Sequence, residues 1–367
     1  MNPTLLHQPR VSRRTAVPDA LPLPMSRTEM EARGWEGVDI VFVSGDAYVD
    51  HPSFAMAILA RVLESAGFRV GMLCQPAWQS AEPWRTFGPP RLFFAISAGN
   101  MDSMINHYTA NRKVRNDDAY SPGGRIGLRP DRATLPYCQR AREAYPGVPV
   151  IAGGVEASLR RLAHYDYWSD NVRGSIVLDA KADLVVYGMG ERNILEIARR
   201  LAAGGAPWEL RDLRGVTYAL GASESLPDGP DMVTIPSLAE VRADKRAFSE
   251  ATRKIHHETN PLNARGILQW HGDRAVIQNP PDLPLTRRRW TASTISPIRA
   301  ARTRATRKRS RPTRWCRTPS PSCAGALAGA PSALSPRTRG APSSPVPRRR
   351  CSGSWSRWLR IRRSRGW

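Results

Sequence analysis

The sequence predicts an α/β protein built on a doubly wound parallel sheet, followed by a linker region and an Arg-rich tail. Three observations predict it. Short apolar runs bounded by turn residues recur at 38–44, 68–73, 92–97, 148–153 and 183–187. Between most of them lie stretches whose apolar residues repeat at helical spacing. The formal charge of +23 on 367 residues is confined almost wholly to the last 81, which hold 21 Arg, one Lys and no acid, so residues 1–286 carry only +1.

Residues 1–25 contain prolines, Arg10, Arg13 and Arg14 without periodicity, the pattern of a flexible lead. Ser26 and Glu29 have capping-box spacing, which predicts a short helix ending at Gly34. Residues 38–44 (VDIVFVS) read as a buried strand ending in the turn Gly45-Asp46. Ala55, Ile58, Leu59, Val62 and Ala66 then share one helical face, Gly67 stops the helix, and 68–73 begins the second strand of a β-α-β unit. Strands at 92–97, 148–153 and 183–187 alternate with helices near 131–145, from about Glu156, and over 191–201, the last with Ile194, Ile197, Ala198 and Leu201 on one face. Continuous apolar runs of this kind suit parallel strands covered on both faces, and such sheets bind ligands beyond the carboxyl ends of their strands. The α/β domain is expected over 26–220, with a last strand at 216–220. In 221–286, Ser237 with Glu240 opens another helix, and 267–270 and 275–278 flank His271-Gly272-Asp273-Arg274 as a hairpin. This segment is expected to be a linker and the start of something larger.

A wholly basic nucleic-acid-binding protein is excluded, because the foldable part is neutral. Cys74 and Cys138, the only cysteines before the tail, are too few and too far apart for a metal knuckle and read as small buried residues. Together with the lack of a signal-peptide core or membrane-length apolar run, this points to a cytoplasmic chain without membrane contact.

From Arg287 to Trp367 Asp, Glu, Asn, Gln, His, Met, Phe and Tyr vanish together. An evolved basic arm mixes Lys with Arg, and one that stacks on bases includes Tyr or Phe. A GC-rich gene read out of frame gives the observed mixture instead. When each new codon is built from the last base of one codon and the first two of the next, 323–335 (CAGALAGAPSALS) permits MRGCFGGCTFCSI, and 290–298 (WTASTISPI) permits MDGVYDLPY. The three cysteines of the first stretch arise from the codons of Ala326, Ala330 and Ala333. C-x-x-x-C-x-x-C is the spacing with which radical S-adenosylmethionine (SAM) enzymes hold a [4Fe–4S] cluster, three thiolates binding three irons while the fourth takes the cofactor. This chain has alanine at all three positions, and its tail cysteines, Cys316, Cys323 and Cys351, lack that spacing.

The segments LPMSRTEMEARGW, DIVFVSGDAYVDHPSFAMAILARVLESAGFRVGMLCQP, SAGNMDSMINHYTANRKVRNDDAYSPGG, GGVEASLRRLAHYDYW and QNPPDLPLT resemble the N-terminal region of YgiQ-type radical SAM proteins. The resemblance covers the neutral part and stops at Arg287. It implies a cobalamin-binding-like, flavodoxin-like α/β domain leading into a radical SAM barrel, with a [4Fe–4S] cluster and SAM in the intact family and neither in this chain. The expected function is therefore an inactive N-terminal fragment of a radical SAM enzyme. The alternative is an α/β binding protein with an Arg-rich arm for nucleic acid; the tail binds polyanions without specificity on either reading.

Candidate ligand-facing residues lie at the glycine-rich corners. Gly45, Asp46 and His51 follow the first strand, although cobalamin folds that use a histidine ligand need D-x-H-x-x-G and this chain has Tyr48 in the histidine position, which argues against cobalamin. An Asp/Pro helix cap is the simpler role for this turn. Gly153, Gly154 and Glu156, and Gly188, Gly190 and Glu191, end two strands and start two helices, where tight packing competes with cofactor binding. The polar connection 100–124 reads as a lid over a neighbouring barrel, and His256-His257 as a solvated pair.

Overall fold

The computed structural model describes residues 21–221, 224–227 and 231–286, and the backbone of 301–302. The expected flexible lead falls outside these residues except for 21–25, and so does the tail apart from that dipeptide.

Ser26 caps α1 (Arg27–Glu31), its Oγ accepting from the Glu29 amide, while Glu29 reaches back to the Met25 amide. Then follow β1 (Ile40–Ser44), the two-residue β2 (Val49–Asp50), α2 (Ala55–Ser65), β3 (Val70–Cys74) and β4 (Phe93–Ser97). The long connection after β4 contains α3 (Ser103–His107) and leads into α4 (Thr134–Ala144) and β5 (Val150–Gly153). Next come α5 (Gly154–Leu159), a hairpin of β6 (His164–Asp166) and β7 (Asn171–Arg173), α6 (Ile176–Asp179), β8 (Leu184–Val186) and α7 (Glu191–Ala202). The remaining elements are β9 (Val216–Ala219), β10 (Met232–Thr234), α8 (Leu238–Ala243), α9 (Lys245–His257), β11 (Gly266–His271), β12 (Arg274–Gln278) and β13 (Ala301–Arg302), the last paired antiparallel with β2.

Among the described residues one sheet holds nine strands in the order β10-β11-β12-β9-β8-β5-β4-β1-β3. The five strands β3, β1, β4, β5 and β8 are parallel throughout, as the alternation of strands and helices predicts. The apolar runs lack a period because both faces are buried. Ile40 and Phe42 of β1 face the layer of α2 and α7, whereas Val41 and Val43 face Trp84, Tyr137 and Ala141 on the other side.

Two expectations need correction. The described part of 231–286 is more than a linker, because β12 joins the same sheet antiparallel to β9, β11 follows antiparallel to β12, and Ile267 and Val276 are buried in a third core cluster with Val241 and Ala251. The turn before α2 is not an Asp/Pro cap either: the N-cap is Phe54 with no side-chain bond, and the Asp50 carboxylate is instead buried against Arg61, with Nε to Oδ1 3.2 Å. The capping box at Ser237 and Glu240 is formed in both directions, and the hairpin turns at Gly272 as expected.

Candidate functional site

Numbered among themselves, the parallel strands run 2-1-3-4-5, so the connections leaving β1 and β4, through α2 and α4, go to opposite faces and leave a crevice at the strands' carboxyl ends, the place where this architecture takes a ligand. Gly45 lies at its floor. A Cβ there would sit 2.1 Å from the Ala98 carbonyl oxygen, so the two strand ends touch through bare backbone. Asp46, fully buried, accepts from the Asn100 amide at 2.6 Å and from Arg129 Nη1 at 2.7 Å. Arg129, buried as well, also donates to the Ala98 carbonyl at 3.1 Å and to Asp118 at 3.1 Å. Asp118 accepts from Ser121 Oγ at 2.7 Å, and Ser121 Oγ from Gln75 Nε2 at 2.6 Å. The crevice is therefore filled by the guanidinium of Arg129 between two carboxylates, of which Asp46 comes from the turn after β1 and Asp118 from the connection 100–124 that the sequence suggests as a lid. Its base is bolted to the sheet.

One cation between two acids leaves a charge to resolve. Burial pushes the Asp46 carboxyl up to about 6 despite Arg129, while the Arg129 charge and the Ser121 hydroxyl overcome burial and hold Asp118 below its usual range. Asp46 thus binds its proton more tightly folded than unfolded, and its contribution to stability falls as pH rises from about 4 to about 6 and is constant above. The half-buried imidazole of His164 and the buried one of His271, both lowered to about 4 by burial, act in the opposite sense, since stability is lost as pH falls from about 6.5 towards 4. Comparing urea midpoints of the chain and its Asp46→Asn variant across pH 4 to 7 separates the two. The variant should gain relative to the parent as pH rises, and a constant difference would contradict the assigned proton.

Gly153 and Gly154 lie beside this crevice at the end of β5. Gly154 has φ +80°, and a Cβ would fall 2.7 Å from Ser97 Oγ. Gly154→Ala should therefore cost about 1–3 kcal/mol in urea unfolding, from strain and clash together. Glu156 is wholly buried and caps two helices at once: Oε2 accepts from the Ser103 amide and Oε1 from the Thr134 amide, each at 2.9 Å. A carboxylate at two helix N-termini needs no ligand to account for it. Arg160 lies 3.5 Å from the same carboxylate and pairs with Asp102, the N-cap of α3.

Gly188, Gly190 and Glu191 form a separate corner after β8. Gly190 is the N-cap of α7 without a side-chain bond, and Glu191 has a buried, unpartnered Oε2, burial raising its pKa. Beside it the guanidinium of Arg161 lies 4.7 Å from the centre of the Tyr187 ring and donates to Gln278 Oε1 at 2.7 Å. His51 does not join either corner: its Nδ1 accepts from the Ser53 amide at 3.0 Å within its own turn, and burial lowers its pKa. The structure thus brings Gly45, Asp46, Gly153 and Gly154 together around Ser97, Ala98 and Asn100, while Glu156 is bonded to Ser103 and Thr134. Arg129 and Asp118 complete the Asp46 network and Asp102 pairs with Arg160; Asp102 and Asp118 lie in the polar connection 100–124 that the sequence marks, whereas Arg129 lies beyond it without a local signal.

Among the described residues this turn offers no histidine ligand of the D-x-H-x-x-G kind for cobalamin, because Tyr48 is packed in the core and Asp46 is taken by Arg129. They do not fit an iron–sulfur cluster either. Cys74 and Cys138 are the thiols among the described residues, one short of a cluster triplet, and burial pushes both far up. No group of three His, Cys, Asp or Glu suited to a metal ion occurs among the described residues. His256 and His257 are exposed at the end of α9.

Residues 22–299 match the family described as Radical SAM N-terminal. The chain belongs to that family. A UPF0313 protein of Rhodopseudomonas palustris is 55% identical over 281 residues, covering 72% of this chain and 42% of the relative. The UPF0313 protein YgiQ of Escherichia coli is 46% identical over 318 residues, covering 72% and 43%. This chain therefore spans about two fifths of the length of the curated UPF0313 relatives it matches. A solved structure of the radical SAM methyltransferase TsrM from Kitasatospora setae aligns with a TM-score of 0.32 and 15% identity over 49% of this chain and 28% of its own. Among the described residues, no helix of this Radical SAM N-terminal chain is long and apolar enough to cross a membrane.

Proposed function

We propose that this chain is the N-terminal α/β domain of a radical SAM enzyme whose catalytic part has been replaced by an out-of-frame tail, and that it is inactive as it stands. The observation that carries this reading is the set of codons for Ala326, Ala330 and Ala333, which one shift of frame turns into C-x-x-x-C-x-x-C. Two facts support it. The family match ends at 299, close to the point where acidic and amide residues disappear, and the relatives are more than twice as long as the matched region. In the intact enzyme the cluster and SAM would start radical chemistry in the part this chain lacks, while the domain described here supplies a rigid platform whose ligand crevice is closed by Arg129. A reducing, cytoplasmic setting suits that chemistry.

The +22 of residues 287–367 favours a second reading, a genuine nucleic-acid arm. About twenty arginines release counterions whatever their origin, so binding alone decides nothing. The comparison is between the full chain and a chain cut after Thr286, with several DNA and RNA sequences at physiological salt. The cut chain should bind none and the full chain all about equally, with steep salt dependence. A strong preference for one sequence, lost when single arginines are replaced, would establish the arm instead.

A further inference from the structure

The carboxyl edge of the sheet carries an apolar surface that the domain itself does not cover. Ile105, Val114, Ile126, Leu159, Tyr165 and Tyr167 are each between 43% and 59% exposed, and all lie in the connections that follow β4 and β5. Isolated exposed apolar residues are ordinary, but a group gathered on one edge is not. These segments are locked to one another. Tyr167 donates its hydroxyl to the Ala110 carbonyl at 2.8 Å, Arg112 lies 4.7 Å over the Tyr167 ring and donates to its carbonyl at 2.7 Å, and the Tyr108 and Trp168 rings are 6.3 Å apart. Arg115 Nε donates to the Ile105 carbonyl at 3.0 Å, and the Arg160–Asp102 pair ties the end of α5, with Leu159, to the start of α3. Arg112, Lys113 and Arg115 stand exposed around the rings with no carboxylate in ion-pair reach among the described residues. Rigid aromatic and aliphatic groups rimmed by arginine are the composition of an interface centre.

The course of the chain says what lies there. Strands β8 and β12 are both antiparallel to β9, so Gln278 at the end of β12 reaches the same edge as the end of β8. The chain is held at that edge as it leaves, Asp282 by Arg192 Nε at 2.9 Å and the Pro281 carbonyl by Arg214 Nε at 2.9 Å. In the relatives, of which the matched region is only 42%, the polypeptide that follows thus starts from the edge that bears the uncovered surface.

We propose that this surface is the docking face for the part of the full-length relatives that follows the α/β domain, through an apolar patch edged by carboxylates that meet Arg112, Lys113 and Arg115. The proposal rests on the reading of this chain as the N-terminal part of such a protein.

Hydroxyl-radical footprinting tests it on three proteins: the 367-residue chain, the full-length Rhodopseudomonas palustris relative, and a fusion of residues 1–286 to the C-terminal part of that relative. Tyr165, Tyr167 and Leu159 should label about fivefold more slowly in the fusion than in the chain, as expected for side chains buried at an interface centre. Trp208, exposed elsewhere beside Pro149 and Asp183, should label equally in both. The relative should show the same protection in its matching segments, a result that does not depend on the fusion folding. Equal labelling of the patch in chain, fusion and relative would overturn the proposal. So would a dimer of the 367-residue chain that Tyr167→Ser dissociates, because a second copy would then be the occupant. Iron and sulfide loading of the fusion is read separately: a cluster with an unprotected patch refutes the docking face alone, and protection without a cluster refutes the functional reading alone.

Discussion

Arg129→Met should destabilise the α/β domain by about 3–5 kcal/mol at pH 8, the usual cost of removing one member of a buried ion pair and leaving its partners uncompensated. Here the effect should fall in the upper part of that range, because among the described residues Arg129 is the one cation paired with the two buried carboxylates, Asp46 and Asp118, and it also satisfies the Ala98 carbonyl. Lowering the pH lets those carboxylates neutralise by taking up protons, so the loss should shrink towards pH 5. Adding Asp46→Asn and Asp118→Asn to the Met variant should restore part of the stability, since it removes the stranded charges rather than the cation alone. Urea unfolding of the parent, the Met variant and the triple variant at two pH values checks each step. A loss below about 1 kcal/mol, the worth of a solvent-exposed pair, would mean that water reaches the crevice and that a ligand can enter it.

The second large effect concerns iron. Anaerobic loading of this chain with iron and sulfide should give no stoichiometric cluster and no cleavage of SAM, because the described thiols number two and the tail cysteines Cys316, Cys323 and Cys351 lack the compact spacing. The gene with its frame restored after Thr286 should yield one [4Fe–4S] cluster per chain and reductive SAM cleavage. A visible iron–sulfur absorption band with cleavage activity in the present chain would contradict the inactive reading. A restored protein that assembles no cluster would contradict the family chemistry assigned to the lost part.

Most of the scaffold is legible in the sequence because its causes are local. Strands such as β1 and β4 are buried on both faces and show as unbroken apolar runs, and α7 shows its buried Ile194, Ile197, Ala198 and Leu201 at helical spacing. Capping by Ser26 and Ser237 is read from pairs of residues three apart. What the sequence hides is long in range. Asp46 and Arg129 are 83 residues apart, and nothing near either one announces the other. Glu156 reads as a helix-start acid that could face a cofactor, whereas its two oxygens cap α3 and α4, elements far from it in sequence. The joining of β12 to β9 is hidden for the same reason: a hairpin is a local signal, but its partner across the sheet is not. Glycines mark the carboxyl edge correctly in both cases, yet they mark close backbone approach there, and Gly45 and Gly154 are needed for packing whether or not a ligand ever binds.

The most direct measurement is the nucleotide sequence of the gene across codons 285–335, determined independently from genomic DNA and from transcript. Reading one base out of register from near Arg287 should give an open frame in which the codons of Ala326, Ala330 and Ala333 become three cysteines spaced C-x-x-x-C-x-x-C. Alanine codons whose preceding bases exclude cysteine in that frame, or a stop within it, would contradict the account and leave the Arg-rich tail as a sequence in its own right.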